Sequence, residues 1–421
     1  MPPSANPPDP LGPPDRGTMT GSVLFYVQHL LGIGHLRRAL HLVAGMAREG
    51  LAVTLVSGGE PLPELAGAPA RKVVQLAPVR AADASFRRLV DRHGRPVDDA
   101  LRAARRDTLL AAFAQAAPDA VLIEAYPFGR RAFRFELEPL IAAARSRLPR
   151  ALVLCSLRDI VVAPEQEARR REIVTRVRAD FDTVLVHGDP SLVPLEASFP
   201  LVGEIADRLF YTGYVAASDP LPARDPAACD GEVLVSAGGG AMGGALLRTA
   251  LAARRRGCLA GYGWRLLAGP NLPPEEFAAL GSELPAGVAV ERYRADFPQL
   301  LRSCRVSVSQ AGYNTVLDIL AAGAPAVLVP FAEMRETEQT MRAERLAARG
   351  AVEMLDPAAL SPERLAEAIE RAARGRPAAL RVDVNGARHT ALAIAAMLGA
   401  EKAARQANKF NMPPGDNRAG K

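Results

Sequence analysis

The chain has 421 residues, of which 49% are hydrophobic and 23% charged, with a formal net charge of +6. That length is too great for one ordinary core, so two domains of roughly 100–200 residues each are expected, and the composition is globular rather than disordered. Cys155, Cys229, Cys258 and Cys304 lie far apart with no CxxC pair, which fits a reducing cytoplasm and speaks against a structural zinc.

Residues 1–20 are rich in proline and lack periodicity. They read as a disordered tail outside the fold, and no apolar signal-peptide core is seen there. No apolar run approaches the roughly 20 residues that a membrane-spanning helix needs. From residue 22 the pattern alternates. The strand-like run "SVLFYVQ" is followed by "GHLRRALHLVAGMAREG", with Leu36, Leu40, Val43 and Ala47 on one helical face and Gly50 at its end. Further apolar runs are "AVTLVSG", "RKVVQLA", "DAVLIEA", "ALVLCSL" and "DTVLVHG", with helical stretches near 98–117, 130–148 and 163–179. Continuous Val/Leu/Ile strands between helices predict a parallel sheet covered on both faces. Residues 215–230 carry Pro220, Pro222 and Pro226 and read as a linker. Alternation then restarts with "GEVLVSAGGGAMGGALLRTALAARRRG" and continues through "WRLLAG", "VAVERY", "RVSVSQ" and "PAVLVPF".

The fold class expected is therefore α/β, with two doubly wound Rossmann-like domains, 21–214 and 231–383, and a cleft between them. Residues 384–405 form a last helix able to lie across either domain, and 406–421 a polar tail. Ligands of such folds bind beyond the carboxyl ends of the strands.

Three glycine-bearing turns face that position. In "HLLGIGHLRRA", Gly32 and Gly34 follow a strand and open a helix. Without a third spaced glycine, or an acidic residue ending the second strand, this is not a dinucleotide fingerprint, and NAD is discounted. His35 falls in the first helical turn, where the helix terminus disfavours the imidazolium and leaves a neutral base near pH 7. The alternative is a histidine that only caps or fills space. In "VSAGGGAMGGALL", Ser236, Gly238, Gly239 and Gly240 follow a strand and precede a helix starting near Gly243. Bare backbone N–H groups there can approach a diphosphate, or the turn serves sheet packing alone. No Lys-Ser/Thr follows, so it is not a P-loop. In "SQAGYNTVLDILAAG", Gln310 and Gly312 form the turn, Asn314 and Thr315 are placed to cap the helix, and Asp318 lies about one turn inside. A carboxylate offers acceptors that match a ribose 2′,3′-diol. Periodicity leaves open whether Asp318 faces the cleft or solvent.

The stretch "SVSQAGYNTVLDILAAGAPAVLVPFAEMRETEQTMRAERLAARGA" resembles the carboxyl-terminal domain of family 28 glycosyltransferases, the group of the MurG type. Ser309, Gly312, Asn314, Thr315, Asp318, Gly323, Pro325, Pro330 and Gln339 carry the likeness. "SAGGGAMGG" is similar to that family's phosphate-side turn, and "GIGHLRRA" to its first glycine-rich loop ending in His. The resemblance implies a GT-B fold and a nucleotide-sugar donor, UDP-linked as in the family. Asp318, usually Glu there, would hold the ribose, and Gln339 with Glu338 would touch the donor sugar or ribose. Ser236 and Gly238–Gly240 would face the diphosphate, and His35 would stand on the acceptor side. Gln310 replaces a His or Arg of the family turn, and the Gln-bearing helix departs from the usual pattern.

The mechanism expected is an inverting transfer without a metal or other cofactor, with His35 deprotonating an acceptor hydroxyl. Glu124 is the next candidate base. Gly32, Gly34, Arg130, Arg131, Asp159 and His187 are candidates for the acceptor side, the two arginines gripping an anionic acceptor through paired N–H donors or simply opening a surface helix. Asp180-Phe-Asp182 precedes a strand and reads as a turn, not a metal site. Arginines cluster at Arg80, Arg87, Arg88, Arg92, Arg95, Arg102, Arg105 and Arg106, either a solvated helix face or a patch for an anionic membrane surface. Aromatics are only 5%, and no nucleic-acid partner is expected. A nucleotide-sugar hydrolase of the same fold, and a non-catalytic nucleotide-sugar or nucleic-acid binding protein, are the rival readings. The expected location is cytoplasmic, with peripheral attachment to the inner membrane face as an open alternative.

Overall fold

The structure, a computed structural model, describes residues 21–30, 34–82, 88–162, 164–216, 231–238, 243–269, 272–331, 337–380 and 382–410. The expected tail at 1–20, the turn residues Gly32, Gly239 and Gly240, most of the expected linker (217–230), and the end of the chain (411–421) lie outside the described residues.

Two parallel sheets carry the fold. The first is built from β1 (Gly21–Val27), β2 (Leu51–Ser57), β3 (Lys72–Gln75), β6 (Ala120–Glu124), β7 (Leu152–Arg158), β8 (Thr183–His187) and β9 (Leu209–Tyr211). Its seven strands run in the order β3-β2-β1-β6-β7-β8-β9. A separate antiparallel hairpin, β4 (Val79–Ala81) with β5 (Leu89–Asp91), interrupts the alternation and was not expected from the sequence. The second sheet uses β10 (Val233–Ser236), β11 (Trp264–Leu267), β12 (Val288–Glu291), β13 (Val306–Ser309), β14 (Ala326–Leu328) and β15 (Glu353–Met354), six strands in the order β12-β11-β10-β13-β14-β15. Every pairing within the two sheets is parallel. Strand order reverses beside β1 in one sheet and beside β10 in the other. These are the switch points at which doubly wound sheets open a ligand crevice.

Helices cover both faces. α1 (Gly34–Arg48) follows β1, and α2 (Asp99–Ala116), α3 (Arg134–Ser146) and α4 (Glu167–Asp180) complete the first domain. In the second lie α5 (Gly244–Arg255), α6 (Pro274–Gly281), α7 (Phe297–Ser303), α8 (Tyr313–Ala322), α9 (Glu338–Ala347) and α10 (Pro362–Arg374). The strands read as unbroken apolar runs because both faces are covered; β1, for example, is buried along nearly its whole length.

The last helix, α11 (Gly386–Phe410), returns to the first domain. Its Ala387, Ala391, Ile394 and Leu398 share a core with Leu36, Val43 and Met46 of α1. The helices approach so closely that a Cβ on Gly45 would lie 2.6 Å from the Ala387 carbonyl oxygen. A further core spans both domains, joining Ile160, Leu192 and Tyr214 to Leu234, Tyr313 and Leu317.

Much of the arginine cluster is not a free basic face. Arg105 is fully buried and pairs with Glu136 at 2.7 Å while also bonding Gly58 O and Gln28 Oε1. Arg95 and Arg102 are exposed and Arg106 half-buried, but they pair with Asp91, Asp99 and Asp107. Arg87 lies outside the described residues. Asp182 accepts from Arg150 and from Val153 N at the amino end of β8, as expected of a turn before a strand.

Candidate functional site

A cavity of about 390 Å³ opens between the domains, within the usual range of small-molecule sites. Its second-domain wall comes from the carboxyl ends of β10–β12 and from α8: Ser236, Gly238, Gly269, Asn314, Thr315 and Asp318. Its first-domain wall is α1, through Arg37, Leu40 and His41, with Glu64.

The β10 turn is built from small residues for steric reasons. Gly238 has φ +69°, which a side chain disfavours, and its N–H donates to Ser236 Oγ at 3.3 Å. A Cβ on Gly243 would fall 2.0 Å from the Ala237 Cβ. Gln310 lies beside this turn, its Oε1 3.8 Å from where a Gly238 Cβ would be. The α8 turn differs from its expected form. Gly312 is the N-cap and no side-chain cap bond is made. Asn314 and Thr315 therefore do not cap the helix; they sit in its first turn and line the cavity.

Asp318 also lines the cavity. Burial pushes its carboxyl up to about 6, although Arg37 pulls the other way. Burying a carboxylate without a close cation is costly, so a bonded partner from a ligand would be welcome there.

Beside the cavity, Gly34 abuts α8, with the Asn314 Nδ2 3.6 Å from where a Cβ would be. His35 Nδ1 lies 3.0 Å from Glu124 Oε1, and its side chain keeps 24% exposure. Burial first, and then the Arg130 charge, lowers this histidine to about 3. The imidazole is thus neutral, as expected, but the cause is enclosure among guanidinium groups rather than the helix terminus. Glu124 corrects another expectation. It is completely buried, pairs with Arg38 and accepts from Ser156 Oγ. Burial works to raise its carboxyl, and Arg38, His35 and Ser156 outweigh it and hold it well below the carboxylate range. Glu124 is thus engaged as a buried partner of Arg38 and His35, and Arg38 Nη2 also lies 3.2 Å from His35 Nδ1. When Nδ1–H donates to Glu124, Nε2 is left as the acceptor atom.

Several candidates prove to be structural. His187 is buried between Ser156 Oγ and Thr212 Oγ1, each at 2.9 Å, with both ring nitrogens engaged. Asp159 is buried and holds Arg342 through both oxygens, at 3.1 and 2.9 Å. Glu338 is not aimed at a donor: it pairs with Arg342 at 2.8 Å and with Arg158. Arg158 and Asp159 belong to the first domain and Glu338 and Arg342 to the second, so these four charges fasten one domain to the other. Gln339 spends its Oε1 on Phe331 N at 3.0 Å, pinning the loop after β14. Arg131 points outward, 52% exposed and 4.0 Å from Glu172. Arg130 is different. Its Nε donates to Gln28 O at 2.8 Å, no carboxylate among the described residues pairs with it, and burial with the charges of Arg158 and Arg38 lowers it to about 10 despite Glu124.

Tyr313 joins these parts. Its Oη donates to His187 O and accepts from Val215 N, both at 3.0 Å. Arg38 and Arg342 lie over its ring, 5.3 and 5.6 Å from the centroid. The sequence reading missed Arg37, His41, Arg38 and Tyr293 as site residues. The run of polar residues on the early turns of α1, just after a glycine-bearing turn, is the signal that could have found the first three. No cluster of metal-ligating side chains occurs among the described residues.

Comparison with known proteins bears on the domain and the fold. Residues 235–395 match the model of the glycosyltransferase family 28 C-terminal domain. The UDP-N-acetylglucosamine–N-acetylmuramyl-(pentapeptide) pyrophosphoryl-undecaprenol N-acetylglucosamine transferase of Brucella anthropi is 36% identical over 129 residues, 31% of this chain and 33% of the relative. The enzyme of the same name from Zymomonas mobilis is 32% identical over 106 residues, 25% of this chain and 26% of the relative. The chain thus aligns with about a third or less of the length of these curated relatives. Among solved structures, the calicheamicin glycosyltransferase CalG4 superposes with a TM-score of 0.56 at 20% identity, covering 93% of this chain and 99% of that one. Acinetobacter baumannii MurG gives 0.54 at 17% identity, covering 90% and 99%. The chain therefore carries a glycosyltransferase family 28 C-terminal domain, set within a two-domain GT-B fold.

Proposed function

We propose that the protein is a glycosyltransferase that moves a sugar from a nucleotide-sugar donor, UDP-linked, to a hydroxyl acceptor, with inversion and without a metal. One observation carries the reading: a half-buried, desolvated carboxylate, Asp318, and the Ser236–Gly238 turn share an interdomain cavity. Asp318 accepts from the ribose hydroxyls, and the turn's backbone N–H groups with the α5 terminus face the diphosphate. The donor base is suggested by the UDP in the names of the curated relatives; thymidine diphosphate occupies the spinosyn rhamnosyltransferase SpnG, a protein of the same fold.

His35 takes the acceptor proton at Nε2 as the hydroxyl oxygen attacks the anomeric carbon, and the nucleoside diphosphate leaves from the opposite face. A positioned base contributes typically about 10²–10⁴-fold, and fixed backbone donors stabilise the leaving diphosphate without reorganisation. Arg130, a half-buried guanidinium with no acid partner among the described residues, supports an anionic acceptor. The pyrophosphoryl-undecaprenol acceptor named for the relatives is of that chemistry, and such an acceptor would bring the protein to a membrane surface from the cytoplasm. No described helix is long and apolar enough to cross a membrane.

The test is a thermal-shift panel of nucleotides and nucleotide sugars, followed by incubation with labelled UDP-sugars. A ligand at 100 times its Kd stabilises by about 2.7 kcal/mol. Stabilisation by no nucleotide refutes the proposal. Rapid release of UDP with no acceptor present would make the enzyme a hydrolase instead.

A further inference from the structure

The cavity has one feature that neither the diphosphate turn nor Asp318 uses. Arg37 reaches from α1 of the first domain and lies over the ring of Tyr293 in the second, 5.5 Å from its centroid. Tyr293 is 56% exposed, one of few large apolar side chains left open. Arg37 is half-buried, yet it has no hydrogen bond or ion pair with any described residue. Its charge acts on Asp318 and on His41. Arg292 and Arg294, on either side of Tyr293, are by contrast engaged: Arg292 donates to Leu272 O and covers the Phe277 ring, and Arg294 pairs with Asp296. The cavity thus has one planar cation with idle donors and one bare aromatic face, on opposite walls, both lining the space that holds Asp318.

We propose that Arg37 and Tyr293 are the two jaws of a nucleobase clamp that spans the interdomain cleft. This rests on the donor reading above and deepens it: the base is gripped by both domains, not by the carboxyl-terminal domain alone. A flat heteroaromatic ring stacks on tyrosine and accepts a guanidinium on its other face. At 5.5 Å, Arg37 and the Tyr293 ring are in direct contact. Two stacking layers need about 7 Å at ordinary carbon contact distances, so Arg37 must move outward by about 1.5–2 Å to admit the base. That distance is within reach of a side-chain rotation. The idle Arg37 donors then face the ring substituents or the ribose side of the bound nucleoside. Stacking reads planarity rather than hydrogen-bond pattern, so the clamp favours a nucleotide over a bare sugar phosphate without choosing between bases.

Calorimetric titration of the full chain tests this, using UDP, dTDP, ADP and GDP and, as a probe without a base, ribose 5-phosphate. The variants are Arg37→Ala, Tyr293→Ala, Tyr293→Phe and the double alanine variant. For the best-binding nucleoside diphosphate, each single alanine variant is expected to weaken binding about tenfold. The double variant should lose less than the product of the two, and Tyr293→Phe should bind like the unaltered chain. Ribose 5-phosphate should bind all five proteins equally. Unchanged nucleotide affinity in Arg37→Ala overturns the clamp while leaving the donor reading intact. Equal losses with ribose 5-phosphate also overturn it, because Arg37 would then be a phosphate ligand. If no nucleoside diphosphate binds the unaltered chain, both readings fall.

Discussion

Replacing Asp318 by Asn separates the stability of the second domain from its use. In the folded chain this carboxyl is raised from an ordinary 3.8 to about 6 by burial. The folded state therefore binds the proton more tightly than the unfolded state. The resulting stabilisation is complete below about pH 4 and is lost as pH rises through about 6. At about 1.4 kcal/mol for each tenfold change in proton affinity, ionised Asp318 costs up to about 3 kcal/mol at pH 7.5. Asn cannot ionise and is close in shape, so Asp318→Asn should stabilise the ligand-free protein by up to that amount at pH 7.5 and by nearly nothing at pH 4. Urea unfolding at the two pH values, followed at the single tryptophan, Trp264, which is buried in the second sheet, reads the difference. The same variant should bind nucleotide more weakly, since an amide replaces the two-acceptor carboxylate that meets the ribose diol. Nucleotide affinity of the unaltered chain should fall as pH drops below about 6. A variant that is less stable at pH 7.5, or whose stability difference is the same at both pH values, would show that Asp318 is satisfied by the protein and not held in reserve for a ligand.

Three further outcomes are expected. His35→Ala should lower kcat by about 10²–10⁴-fold; because His35 is depressed to about 3, it stays neutral above that pH and cannot produce an acid limb near pH 6, so a limb there in kcat/KM for the donor should vanish in Asp318→Asn. Arg342→Met leaves Asp159 without its buried cation and Glu338 with Arg158 alone and should cost about 3–5 kcal/mol, seen as a lower urea midpoint, whereas Arg349→Met, at a half-buried position bonded to the backbone carbonyls of Arg345 and Ser191, should cost far less. Gly45→Ala forces a methyl against the Ala387 backbone and should cost about 1–3 kcal/mol, with a drop in Tm that a further Ala387→Gly change does not fully restore, because the carbonyl remains.

The sheets were readable because both faces of the central strands are buried, which writes unbroken apolar runs into the chain. The turn after β10 was readable because glycine is favoured at the φ of +69° of Gly238 and because a Cβ on Gly243 would collide with Ala237. The charged residues were not. Arg38, Arg105 and Arg342 occupy helices in which a long polar side chain ordinarily faces water, yet each is buried against a carboxylate 31 to 183 positions away: Glu124, Glu136 and Asp159. Periodicity reports which face of a helix a residue occupies, not what lies opposite it. Glu338 was placed at the donor by the family resemblance, which carries no information on the Arg342 and Arg158 that it pairs with here. Asp318 could be suspected from its isolation among apolar residues, but its direction depended on how α8 packs, and that packing is set by Tyr313 reaching to His187 and Val215.

The chain passes between the domains twice, and the two passages lie side by side. Val215 forms an antiparallel bridge with Asn385, Tyr214 N donates to Asp383 O at 2.6 Å, and Gly386 N donates to Tyr214 O at 2.9 Å. A single tether would let one lobe swivel freely. A paired ribbon resists twisting and concentrates any relative movement into bending about one line. The cleft should accordingly open and shut like a book along its spine, keeping α1 aligned with α8 at every angle.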